Sequence, residues 1–135
     1  MTTIDWDALH AAAKAAMQLA YAPYSKYPVG AVALVSDGRL ISGSNIENAS
    51  YGLTLCAECA LLGELIRGGG GRLVAFACVD GAGAKLVPCG RCRQLLFEHG
   101  AGTLVLDTPE GLRTIEEMLP QAFGPGHLTD FESKA

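Results

Sequence analysis

Two short stretches, LCAEC at residues 55–59 and PCGRC at residues 88–92, hold four of the five cysteines of the chain. Each contains a C-x-x-C pair, and each stands where a loop enters a segment with helical periodicity. Backbone N–H groups at a helix start carry partial positive charge, so thiolates placed there are stabilised. This pattern favours a zinc site, because Zn²⁺ takes thiolate ligands in tetrahedral geometry. The alternative interpretation is two unrelated pairs of buried cysteines.

The number of ligands separates two kinds of protein. Four thiolates would close the site and make a structural zinc module, whereas three would leave one position for water. One helical stripe of the first segment holds Leu55, Cys59, Leu62 and Ile66. This spacing predicts that Cys59 packs into the core as a small hydrophobe. The predicted ligands of one zinc ion per chain are therefore Cys56, Cys89 and Cys92.

Glu58 follows the first predicted ligand, Cys56, by two residues. Taken alone, a glutamate in the first turn of a helix is usually a surface residue favoured by the helix dipole. Zinc with an open position lowers the pKa of a bound water to about 7, and such a site needs a proton acceptor within reach. Glu58 is therefore the predicted catalytic residue.

The composition limits the class of protein. A chain of 135 residues with 50% apolar residues fits a single domain over residues 1–135. The net charge is −4, with no cluster of Lys and Arg, which argues against a nucleic-acid partner. No apolar run approaches the length of about 20 residues that a membrane helix needs. The odd cysteine count and the absence of a signal-like N-terminus predict reduced thiols in the cytoplasm.

The order of predicted elements is helix, hairpin, helix, strand, helix, strand. A first helix runs from Trp6, capped by Asp5 or Thr3, and stops before Pro23. The Asp-Gly of SDGR joins GAVALV and LISGS as a hairpin, and LVAFACV and TLVL are further strands. Helices follow from Cys56 to Arg67 and from Gly90 to His99, and TIEEMLP forms a brief helical turn. The tail after it is predicted to be mostly irregular, and the order indicates a mixed sheet with helices on both faces.

The combination of C-x-E with P-C-x-x-C is the signature of zinc deaminases. The chain resembles most closely the small, nucleoside-specific cytidine deaminases that form homotetramers. The resemblance rests on YAPYSKYPVGA (21–31), NIENASYGLTLCAE (45–58) and PCGRCRQ (88–94), in the family's order. It implies a three-layer α/β/α sandwich, with a mixed sheet of roughly five strands. It also implies the hydrolysis of cytidine and 2′-deoxycytidine to uridine, 2′-deoxyuridine and ammonia by zinc-bound hydroxide in pyrimidine salvage, with Glu58 as the proton shuttle.

The same resemblance implies substrate contacts within one chain. Asn45 and Glu47 match the pair that binds the ribose hydroxyls, although without the resemblance both read as residues that cap loops. Ala57 matches the residue whose backbone N–H meets the pyrimidine carbonyl. Tyr27 stands where the family usually has a Phe against the base, and its hydroxyl needs a partner if it is buried.

Other contacts are implied between subunits of a homotetramer with shared active sites. Tyr51 matches a residue that reaches the sugar in a neighbouring subunit's site. Phe123 matches the aromatic residue that stacks on the base from another chain. Without the resemblance, Phe123 would be interpreted as a core plug or a surface anchor.

Cys59 stands where many relatives of the resembled family have an Arg, which offsets the negative charge of three thiolates on zinc. Here the two helix starts, together with Arg91 or Arg93, would have to stabilise that charge. The substitution keeps open a non-catalytic, zinc-stapled interaction module that uses all four paired cysteines. Within the same chemistry, the alternative is a deaminase of another small nucleoside, such as blasticidin S.

Overall fold

The computed structural model describes residues 3–134. Its helices are α1 Trp6–Met17, α2 Ala57–Arg67, α3 Gly90–Gly100, α4 Ile115–Met118 and α5 Pro125–Lys134. Its strands are β1 Gly30–Val35, β2 Leu40–Ser44, β3 Leu73–Val79, β4 Val105–Thr108 and β5 Gly111–Thr114. A short 3₁₀ turn, Tyr51–Leu53, lies in the loop between β2 and α2.

The five strands form one mixed sheet in the order β2-β1-β3-β4-β5. Strands β3 and β4 are parallel, and the other neighbouring strands are antiparallel. Alternate residues of β1 face opposite sides, so Ala31 and Ala33 pack with α2 and α3 while Val32 packs with α1. The predicted α/β fold with helices on both faces of a mixed sheet is confirmed.

Local signals place the first helix and the hairpin as predicted. The Asp5 side chain accepts a hydrogen bond from the backbone N–H of Ala8 at 3.0 Å and caps α1. Gly38 takes a φ of 98° in the turn between β1 and β2. This left-handed conformation suits glycine, which has no Cβ to clash with its own backbone.

Gly43 of β2 lets the sheet approach the start of α2 closely. A Cβ at this position would lie 2.3 Å from the carbonyl oxygen of Ala57 and 2.5 Å from the backbone N of Leu61. Both distances are far inside van der Waals contact. The sequence therefore fixes the first turn of α2 against the sheet by omitting a side chain.

Three predicted details differ from the structure. The strand predicted at TLVL begins and ends two residues later, as β4 Val105–Thr108. No segment was predicted to form the short edge strand β5. The prediction of a mostly irregular tail is wrong, because most of the tail forms α5 Pro125–Lys134. Proline is favoured in the first turn of a helix, because the N–H it lacks has no intrahelical partner there. The proline and glycines of this tail therefore surround a helix start instead of excluding a helix.

No helix within residues 3–134 combines the length and the apolar character needed to cross a bilayer.

Candidate active site and metal centre

Two of the predicted ligands stand at the starts of helices. Cys56 is the N-cap residue of α2 and Cys89 the N-cap residue of α3, both with extended backbone conformations. Within the described chain neither side chain caps its own helix, so the two thiols can face each other and Cys92. Cys92 lies one turn into α3 and is fully buried. The packing of α2 against α3 brings the two starts together.

The three thiols form a compact cluster of the size that zinc requires. The Sγ atoms of Cys56, Cys89 and Cys92 all lie within 4.8 Å of one another. The Cys56 and Cys89 Sγ atoms are 3.9 Å apart. A tetrahedral ion with Zn–S bonds of about 2.3 Å needs sulfurs about 3.8 Å apart. The donor set therefore fits Zn²⁺, and the predicted trio is the cluster placed to hold a metal ion.

Cys59 does not belong to this cluster, and the prediction that it packs in the core is wrong. The buried residues of α2 are Ala57, Glu58, Leu61 and Leu65. Cys59 is only half-buried, and its Sγ accepts a hydrogen bond from Nη2 of Arg91 at 3.5 Å. Ile66, predicted on the same buried stripe, is 58% exposed. The buried stripe was missed because it contains the acidic Glu58, which a search for apolar periodicity rejects.

Glu58 lies beneath the thiols with only 4% of its surface exposed. Burial raises the pKa of Cys92, and the neighbouring Glu58 carboxylate raises it further by its charge and by a hydrogen bond. Burial also raises the pKa of Cys56. At Cys89 burial acts in the same direction, but hydrogen bonds from the backbone and side chain of Cys92 lower the pKa overall. Three thiolates beside a carboxylate therefore need a cation, and metal binding would release the thiol protons.

A cleft of about 290 Å³ opens above this floor. Its lining includes six of the predicted site residues: Tyr27, Asn45, Cys56, Ala57, Glu58 and Cys89. Leu86, Val87 and Pro88 complete one wall from the segment before α3. A mostly apolar pocket with a few convergent polar groups is the usual form of a small-molecule site.

Asn45 and Glu47 are brought to neighbouring but separate places. Asn45 lies in the cleft, where its Oδ1 accepts from the Val29 N–H at 2.9 Å and its Nδ2 donates to the Tyr27 carbonyl at 3.0 Å. Glu47 lines an adjacent depression together with Tyr51. Thr54 lines both spaces, so the depression adjoins the cleft.

Tyr51 and Phe123 lie at the surface and outside the lining of the cleft. Tyr51 is 76% exposed in the 3₁₀ turn, and Phe123 is 57% exposed. The Phe123 ring stacks on His127 with ring centroids 5.1 Å apart. The side chain of Gln94 holds the Phe123 carbonyl at 2.7 Å. The tail is thus attached to α3, but its aromatic residue remains free to meet another surface.

Two arginines support the centre in ways that the sequence left open. Arg93 donates from Nε to the carbonyl of Pro88 and from Nη1 to that of Met118, which fixes the backbone just before Cys89. Arg91 contacts Cys59 as described above. The sequence did show a basic residue on each side of Cys92. It could not show which carbonyl groups or sulfur atoms these two side chains contact.

A three-thiol cluster with a buried carboxylate, set between two helix starts under a cleft, defines the class of zinc-dependent hydrolytic sites. Residues 4–108 match the family model for the cytidine and deoxycytidylate deaminase zinc-binding region. The chain belongs to this family.

Several relatives agree with this assignment. A cytidine deaminase of Mycobacterium tuberculosis strain H37Rv is 56% identical over 124 residues, covering 92% of this chain and 93% of the relative. The crystal structure of cytidine deaminase from Mycobacterium leprae superposes with a TM-score of 0.86 at 58% identity, covering 88% of this chain and 100% of that one. The Burkholderia pseudomallei enzyme superposes with a TM-score of 0.76 at 41% identity, covering 91% and 100%.

Proposed function

We propose that this chain is a zinc-dependent enzyme that hydrolyses the 4-amino group of cytidine and 2′-deoxycytidine. The products are uridine or 2′-deoxyuridine and ammonia. The observation that carries the proposal is the buried Glu58 carboxylate beside the Cys56, Cys89 and Cys92 thiols at the floor of one cleft. The relatives that cover nearly the whole chain are cytidine deaminases, which supports the choice of substrate.

Glu58 is assigned the proton transfers. Bound by Cys56, Cys89 and Cys92, zinc would supply a positive charge that lowers the pKa of water to about 7. Glu58 takes a proton from the water that attacks C4 and delivers it to N3 of the ring. It then takes the proton of the new C4 hydroxyl and passes it to the amino group, which leaves as ammonia when the C4–N bond breaks. Each transfer is short, because the carboxylate lies at the floor of the cleft beside the thiols. Such acid–base catalysis typically contributes about 10²–10⁴ in rate.

The walls of the cleft are assigned to recognition of the base and the sugar. Ala57 is the first residue of α2, where backbone N–H groups have no intrahelical acceptor, so its N–H is available to the pyrimidine carbonyl. Tyr27 offers a ring face to the base, and it is 51% exposed, so its hydroxyl can reach water. Asn45 and Glu47 are assigned to the sugar hydroxyls. Their positions in the cleft and in the adjoining depression support this division.

The remaining contacts are assigned to a homotetramer with shared sites. Tyr51 would reach the sugar, and Phe123 the base, in the site of a neighbouring copy. The exposure of both residues supports this assignment, as does the exposure of five further apolar residues, Tyr21, Tyr24, Ile46, Leu53 and Leu55. Exposed apolar patches of this kind usually mark interfaces. The five unpaired cysteines support a reducing, cytoplasmic setting for this step of pyrimidine salvage.

The test is the absorbance of the cytosine band when pure protein meets cytidine. Zinc-loaded protein is expected to lower this absorbance with time, and protein treated with a chelator is expected to leave it unchanged until zinc is restored. A parallel sample with blasticidin S tests whether the protein converts this alternative substrate in place of cytidine. Zinc-loaded protein that does not convert cytidine would overturn the proposal.

A further inference from the structure

Ser25 lies at the centre of a polar network between the two spaces of the candidate site. Its hydroxyl donates to Oε2 of Glu47 and accepts from the backbone N–H of Tyr27 at 3.0 Å. The Tyr27 carbonyl in turn accepts from the Asn45 side chain. We call these four residues, Ser25, Tyr27, Asn45 and Glu47, the Ser25 network.

The loop that carries Ser25 is shaped to make these contacts. Lys26, the next residue, has a φ of 58°, in the left-handed region that few residues other than glycine adopt. This conformation turns the chain between Ser25 and Tyr27, so that the Tyr27 N–H donates back to the Ser25 Oγ while the Ser25 hydroxyl donates to Glu47. Such a backbone conformation persists only where neighbouring groups hold it in place. Around Lys26, the hydrogen bonds from Tyr24 and Ser25 to Glu47 hold the loop.

Glu47 is almost fully engaged by this loop. Its Oε1 accepts from the backbone N–H groups of Tyr24 and Ser25 at 2.9 and 3.1 Å, and its Oε2 accepts from the Ser25 hydroxyl. A carboxylate offers about four acceptor directions. Three are occupied, and the remaining one belongs to Oε2. The Ser25 hydroxyl, which holds the same oxygen, therefore determines where the last acceptor direction points.

We propose that Ser25 is a positioning residue that aims the free acceptor of Glu47 at a sugar hydroxyl of the nucleoside and links it to the Tyr27 wall of the cleft. The inference rests on the proposed function, which makes the ligand a nucleoside. Cytidine and 2′-deoxycytidine share the 3′- and 5′-hydroxyls, and of these two we assign the 3′-hydroxyl to Glu47. Ser25 lines the depression with Glu47 and not the cleft that holds Glu58.

Replacing Ser25 by alanine tests this role through the split between KM and kcat. Loss of one aimed hydrogen bond to a charged group predicts an increase of about tenfold in the KM for cytidine. The kcat should stay within about twofold, because Glu58 and the thiols are untouched. For 3′-deoxycytidine, which lacks the assigned hydroxyl, the KM should be the same in wild type and variant. Ser25→Thr keeps the hydroxyl and should restore most of the affinity for cytidine.

Two controls separate positioning from general damage. Ser36→Ala removes an exposed hydroxyl in the β1–β2 turn that bonds to no described residue, and it should leave every constant unchanged. Adding Ser25→Ala to Glu47→Gln should weaken cytidine binding little further, since both changes act on one contact. An unchanged KM in Ser25→Ala, or equal losses with cytidine and 3′-deoxycytidine, would overturn the inference.

A readout that needs no turnover distinguishes this inference from the proposed function. The Ser25 hydroxyl is the first cause of a lowered pKa at Glu47, followed by the Ser25 backbone N–H. Carbon NMR of the Glu47 carboxyl should therefore show a higher pKa in Ser25→Ala than in wild type and in Ser36→Ala. An unchanged pKa would contradict the hydrogen bond from Ser25 to Glu47 on which the inference rests. Failure of wild-type protein to convert cytidine would instead overturn the proposed function and the assignment of the hydroxyl.

Discussion

The cleft has a floor, formed by the three thiols and Glu58, and we call Tyr51 and Phe123, at the surface outside it, its rim. The two regions differ in how many of their proposed functional groups a single chain places together. At the floor, Cys92 and Glu58 are buried, and the three thiols already lie at distances that suit one metal ion. At the rim, Tyr51 and Phe123 are mostly exposed and lie outside the lining of the cleft. The thiol cluster placed to hold a metal ion, and the carboxylate proposed for proton transfer, are thus assembled within one chain. The proposed function leaves part of the recognition of the sugar and the base to contacts between chains.

Removing one thiol from the floor should have the largest effect. Cys89→Ser takes away one of three clustered donors, so bound zinc and turnover should both be lost. Cys59→Ser is the matched control, because this thiol lies outside the cluster and contacts Arg91. Zinc per chain, measured by elemental analysis, should stay near one in the control. Loss of zinc in Cys59→Ser would show that the fourth paired cysteine is a ligand.

Glu58→Gln should separate chemistry from binding at the floor. The amide keeps the size of the side chain but cannot accept the proton, so kcat should fall by about 10²–10⁴. Zinc content and the affinity for cytidine should remain close to those of wild type. Glu64→Gln, on the exposed side of the same helix, is the control and should retain full turnover. Comparable turnover in Glu58→Gln and wild type would remove Glu58 from the proposed mechanism.

Phe123→Ala tests the rim. Stacking of an aromatic side chain on a base is worth about 1–3 kcal/mol, so the KM for cytidine should rise roughly five- to 150-fold. The kcat should change less, because the floor is unaltered. Phe131→Ala removes an exposed aromatic residue of α5 and is the matched control. If the two variants behave alike, Phe123 has no specific part in recognition.

A cluster behind the floor should affect stability more than activity. Asp107 is buried, with Nε2 of His10 at 2.7 Å and Nζ of Lys85 at 3.1 Å. Lys85 begins the segment that continues into the cleft wall at Leu86. Asp107→Asn should lower the free energy of unfolding by about 1–3 kcal/mol, because a buried charge network loses one member. Denaturant unfolding should show a smaller loss for Asp37→Asn, whose partner Arg39 lies at the surface.

The same cluster predicts the direction of an acid dependence. Burial alone would raise the pKa of Asp107, but hydrogen bonds from His10 and Lys85 outweigh it and lower the pKa. The stabilisation is then fully present above the unfolded pKa of about 3.9, and it is lost as the pH falls through the lower folded pKa. Between the folded and the unfolded pKa of Asp107, the free energy of unfolding should change more with pH in wild type than in Asp107→Asn. Equal pH dependence in both proteins would contradict this assignment.

The sequence predicted the thiol cluster better than the packing around it, for physical reasons. Ligand spacing and helix starts are local properties, so Cys56, Cys89 and Cys92 could be assigned from two five-residue stretches. The buried stripe of α2 could not, because Glu58 occupies a position that packing alone would give to an apolar residue. The α5 helix was hidden by its proline and glycines. The bonds of Ser25 to Glu47 join residues 22 positions apart, and only the folded chain brings them together.

The most direct test of the central claim is X-ray absorption at the zinc edge of the wild-type protein. Three sulfurs at about 2.3 Å with one lighter oxygen or nitrogen neighbour are the predicted result. A shell of four sulfurs, or protein that binds no zinc, would contradict an open site beside Glu58.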